Sequence, residues 1–166
     1  MLYALILWHI VSFGLSSNYH YLENKSFENH IFGIQLAGQY REDRESNLTA
    51  SIDYMGKNIN DVFRLKYSFI TTSERSNIIS FGTSKEIFLN KNFFISTHLM
   101  PSFGYFKNKD LNNATSGLKF NIAFEMGIFV SKNYQLSLEW RHLSSNYTTM
   151  PNTAIDTLGI KLRFAF

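Results

Sequence analysis

The chain has 166 residues and a formal net charge of +3, enough for one domain of about eight strands of roughly ten residues each plus turns. Cysteine is absent, which excludes a disulfide framework and a thiolate metal site. The scattered, modest positive charge reads as ordinary solvation and gives no basis for a nucleic-acid partner.

The predicted elements begin with an uncharged apolar run, Met1 to Leu15, followed by Ser16-Ser17-Asn18. It is shorter than the roughly 20 residues of a spanning helix, so residues 1–17 are read as a secretory signal peptide and 18–166 as the mature domain. No other segment is long and apolar enough to span as a helix, so any membrane insertion has to be as a closed barrel. Strand-like runs follow at 29–40, 47–55, 61–71, 76–84, 92–106, 117–130, 133–144 and 155–166. Most alternate with period two. In the first, Phe32, Ile34, Leu36 and Tyr40 oppose Gly33, Gln35, Ala37 and Gln39; in the third, Phe63, Leu65, Tyr67 and Phe69 oppose Arg64, Lys66 and Ser68. The fourth is the least regular. Pro101 falls inside the fifth and predicts a bulge or weak pairing there. Ser131-Lys132-Asn133 reads as a short turn, and 107–116 and 145–154 as longer external loops.

One strand face is therefore large and apolar. The other carries small residues together with Arg64, Lys66, Lys119, Glu125, Glu139, Arg141, Lys161 and Arg163. A soluble, lipocalin-like barrel would turn the apolar face inward, and a membrane barrel turns it to lipid around a charge-paired interior. Alternation alone fits both. The export signal, the large aromatics on the apolar face and a last strand ending on Phe166 favour an all-β, eight-stranded antiparallel transmembrane β-barrel in the bacterial outer membrane, since a terminal aromatic resembles the assembly signal of such barrels. Arg141 and Glu139 have interior parity and are expected in a lumen charge network.

Three polar residues stand on the apolar face near the end of the chain: His142, Ser144 and Asp156. Residues i and i+2 of a strand share a face about 6.5 Å apart, which brings the Ser144 hydroxyl within reach of the His142 imidazole. Antiparallel pairing about a loop centre near Thr149 sets Asp156 opposite His142. A carboxylate there would hold the imidazole tautomer that deprotonates a serine. Taken singly, each residue also suits a polar strand end at a water interface.

The stretch His142-Leu-Ser144, then Pro151-Asn152, then Ile155-Asp156 and a last strand, resembles the C-terminal signature of the lipid A 3-O-deacylases of the PagL family over about 25 residues. The resemblance implies an outer-membrane serine esterase with a lipid-facing triad: His142 as general base, Ser144 as nucleophile and Asp156 as orienting acid. It needs no cofactor or metal. Two departures stand out. The family's acid is usually glutamate, and its serine is followed by Asn-Ala-Gly where this chain has Ser145-Asn146-Tyr147, which leaves Ser145 and Asn146 as the oxyanion candidates. The substrate implied is lipid A of lipopolysaccharide, with an acyl chain along Leu136, Leu138 and Trp140. Arg41, Arg44, Lys107 and Lys109 fall in predicted external loops, within reach of its phosphates. The competing expectation is a noncatalytic eight-stranded structural or adhesion barrel.

Overall fold

A computed structural model of the chain describes residues 30–40, 47–59, 63–89, 92–108, 113–144 and 154–166, without the side chains of 58, 106–108 and 113–115. Eight strands follow one another: β1 (Ile31–Tyr40), β2 (Asn47–Ile59), β3 (Phe63–Thr72), β4 (Asn77–Phe88), β5 (Phe93–Asn108), β6 (Asn113–Phe129), β7 (Tyr134–Ser144) and β8 (Ile155–Ala165). Each pairs antiparallel with the next, and β8 returns to β1 to close the barrel. The seam continues past the strand ends, because His30 and Phe166 exchange both backbone hydrogen bonds. Closure leaves the strands without a free edge, which backbone in a lipid environment requires. The segment 1–17, expected to be a signal peptide, lies outside the described residues.

Three expectations of extent are revised. β2 runs to Ile59, beyond the expected end at 55, with a register shift between Met55 and Asn58, and β4 runs to Phe88, beyond the expected end at 84. Expected loop 107–116 is largely hairpin, since β5 and β6 stay paired out to Asn108 opposite Asn113. Asn, Lys and Ala are poor strand signals by themselves, and here a long partner strand carries them. Lys107 accordingly lies in β5, whereas Arg41, Arg44 and Lys109 lie outside the described residues.

Alternation sends odd residues of β1, β2, β6, β7 and β8 and even residues of β3, β4 and β5 inward. Ile34, Leu36, Ile79, Phe103, Leu118, Ile160 and their like form an exposed apolar belt. The interior is polar: five cations, Arg64, Lys66, Arg141, Lys161 and Arg163, meet four carboxylates, Asp53, Glu86, Glu125 and Glu139, in one buried network. This is the membrane sense of the fold rather than the lipocalin sense, because buried charge survives only when paired and an apolar belt of this extent needs lipid against it. Apolar side chains close the lumen at both ends. Ile70, Ile78 and Leu143, with Ile155 against them, plug the rim formed by the β3–β4 and β7–β8 connections. Ile31, Met55 and Ala165 plug the end near Phe166. The inner end also carries Phe94, over whose ring Arg163 lies at 4.6 Å.

Pro101 has the expected effect. The β4–β5 ladder is interrupted between Ser80↔Ser102 and Thr83↔Leu99, with register unchanged on either side. Gly82 faces that gap at such close range that an added Cβ would meet the Leu99 carbonyl oxygen at 2.2 Å. Backbone cannot give way as a side chain would. Gly82→Val is expected to lower the unfolding midpoint in detergent, by about 1–3 kcal/mol of overpacking strain, and urea titration followed by gel mobility would register it.

Candidate active site

The three polar residues of the apolar face all stand at the rim, where β7 ends and β8 begins, and two of them are in contact. Register puts His142 directly opposite Asp156, and the side chains join across it, His142 Nδ1 to Asp156 Oδ1 at 2.7 Å. Both are about one-third exposed, at 32% and 30%. Position at the strand ends is what makes such a pair tolerable on a lipid-facing wall, since polar side chains there reach headgroups and water. An ionised carboxylate only accepts, so the pair fixes the proton on Nδ1 and leaves Nε2 of a neutral imidazole as an acceptor.

Ser144 lies two residues further along the same outward face, half-buried and opposite Phe120 of β6. Among the described residues its hydroxyl makes no hydrogen bond, so the dyad of His142 and Asp156 is formed and the serine stands beside it unengaged. Ser145 and Asn146, the oxyanion candidates, lie outside the described residues, as do Pro151 and Asn152. Below the site on β7, Trp140, Leu138 and Leu136 continue the outward row. Leu136 and Leu138 enter a groove of about 410 Å³ in the outer wall, shared with Phe93, Met126, Ile128 and Ile160.

Tyr40 is a neighbour that linear reading did not place at the site. Barrel closure pairs it with Asp156 on the side away from His142. Its hydroxyl accepts a hydrogen bond from Trp140 Nε1 at 2.5 Å, and the Trp140 ring stacks on the His142 imidazole with centroids 6.1 Å apart and planes 18° apart. The outward parity of Tyr40 was a signal for its face; only the β1–β8 seam supplies its partners.

A second titratable cluster lies in the lumen. His98, Glu125 and Glu139 each bring a ligand atom within 4.8 Å of the others. The Lys161 ammonium reaches Glu125 at 3.7 Å and also contacts Glu139, while Lys66 reaches Glu139 at 3.5 Å. Protein cations therefore already compensate these carboxylates, and the cluster belongs to the structural network.

Closed topology, apolar belt and polar lumen define an eight-stranded antiparallel barrel of the outer-membrane class. No protein-family model matches the chain, and no curated sequence does. Among solved structures, the chain is similar to the outer membrane enzyme PagL, with TM-score 0.57 and 12% identity over 81% of this chain and 99% of that one. It is also similar to Ail, the attachment invasion locus protein of Yersinia pestis, with TM-score 0.54 and 10% identity over 83% and 97%. The N-terminal β-barrel domain of Pseudomonas aeruginosa OprF gives TM-score 0.51 and 15% identity over 82% and 98%. At these identities the likeness is one of fold.

Proposed function

We propose that this barrel is an outer-membrane ester hydrolase that removes the 3-hydroxyacyl chain ester-linked at position 3 of lipid A. The observation that carries the reading is the 2.7 Å contact between His142 Nδ1 and Asp156 Oδ1 on the outward wall at the loop rim, two residues from a serine of the same face. In this reading Ser144 Oγ attacks the ester carbonyl as Nε2 of His142 takes its proton. The tetrahedral intermediate then expels the sugar oxygen, which recovers that proton from the imidazolium. Water, deprotonated by His142, resolves the acyl-enzyme and releases the hydroxy acid. Ser145 and Asn146 are the candidates for binding the oxyanion. The departing chain lies along Trp140, Leu138 and Leu136 toward the apolar groove, which requires no cofactor and no metal.

Mass spectrometry of lipid A from cells expressing the protein tests this, with loss of one 3-hydroxyacyl group as the expected result. Fold likeness to Ail and OprF supports a second reading, a noncatalytic structural or adhesion barrel, under which lipid A is unchanged although the protein is folded in the membrane. Asp156→Asn separates them further. An amide would donate to Nδ1 and force the proton onto Nε2, and turnover should fall by about two to four orders of magnitude with membrane assembly intact.

A further inference from the structure

We infer that Tyr40 is a positioning residue for the His142 imidazole, acting through Trp140; this rests on the esterase reading and adds to it a residue from the opposite end of the chain. Asp156 holds His142 at one atom, Nδ1. A single hydrogen bond between two side chains that are each about one-third exposed leaves the ring free to swing about that contact, and a swing of tens of degrees changes the direction of Nε2, the atom that has to face Ser144 in the proposed reaction. The flat face of the Trp140 indole blocks one side of that motion by stacking on the imidazole. An indole on a lipid-facing wall has rotamers of its own, so it is an effective wall only if its far edge is fixed. Tyr40 fixes it: the hydroxyl accepts the Nε1 hydrogen bond from across β8, whose Asp156 and Leu158 are the register partners of Tyr40 and Trp140.

The arrangement is a strap. It runs from β1 over β8 to β7, and Tyr40 and His142 are both register partners of Asp156, one on each side. It spans the seam at which the barrel closes, so the imidazole is oriented only when β1 has docked on β8. A barrel with an unformed seam would have the Asp156 and His142 side chains but no wall behind the ring.

The test uses the full chain refolded in detergent micelles, with Tyr40→Phe, Trp140→Phe and the double variant. Tyr40→Phe deletes one hydroxyl at the rim and leaves strand packing unchanged. The expected result is a fall in kcat of about fivefold, the size of one net hydrogen bond, with KM unchanged. The double variant should be no slower than Trp140→Phe alone, because the two residues act as one unit. NMR of the indole Nε1–H and of the His142 ring supplies a readout independent of turnover: Tyr40→Phe should speed indole proton exchange and broaden the imidazole signals. Unaltered imidazole signals in Tyr40→Phe, or rate losses that multiply independently in the double variant, would overturn the inference. Altered ring signals in a protein that hydrolyses no lipid A would uphold the strap and refute the esterase reading.

Discussion

Ser144→Ala is expected to abolish deacylation of lipid A while leaving the protein folded in the outer membrane. The Oγ atom is the only one removed, and it lies outside the buried network on a half-buried rim position whose hydroxyl makes no hydrogen bond among the described residues. No hydrogen bond among the described residues is lost with it, so heat-modifiable gel mobility should match that of the unmutated protein. The proposed chemistry, by contrast, loses the atom assigned to form the acyl-enzyme. Loss of a triad nucleophile typically costs on the order of 10⁵–10⁶ in kcat, which in cells reads as lipid A retaining its full acyl complement. Lipid A that is shortened equally by both proteins would end the Ser144 assignment.

Glu139→Ala should have the reverse signature, a large loss of stability from a residue that points into the lumen, on the face of β7 opposite to His142. Glu139 is fully buried in the lumen, where it contacts Arg141 at 2.6 Å, Lys66 at 3.5 Å, His98 at 3.6 Å and Lys161. Removing one partner of a buried ion cluster costs about 3–5 kcal/mol, because the cations keep their desolvation penalty and lose their compensation. Glu139→Gln preserves the volume and removes the charge, so it should lose nearly as much. A urea titration in detergent checks both. A midpoint unchanged in either variant would mean that Asp53 and Glu125 alone neutralise Lys161, with which they already make contacts of 2.5 and 3.7 Å.

Much of this architecture was legible in the chain because period-two alternation is a local property. The face of every charged residue in β3, β6, β7 and β8 could be read from its neighbours two positions away, as for Arg64 and Lys66 or Lys161 and Arg163. Where alternation was weak, reading stopped short. Glu86 lay past the expected end of β4, and Asp53 and His98 were isolated titratable residues among uncharged Ser and Thr of the same parity, so their part in the network went unseen. The inward apolar plugs contradict the rule of a polar inner face: Leu143 and Ile70 share parity with Arg141 and Lys66 yet close the lumen at its rim.

The His142 and Asp156 pairing was legible for a different reason, since a hairpin fixes register through its loop and the two residues are equidistant from Thr149. Nothing comparable links Tyr40 to Trp140. They are 100 residues apart and become neighbours only through the β1–β8 seam. Local sequence thus determined the strands, their faces and the side on which the polar trio stands, because side-chain direction follows from backbone period. Tertiary structure decided which charges share a cluster, what plugs the barrel and what backs the imidazole, because those contacts depend on ring closure and on strand stagger, to which no short window of sequence is sensitive.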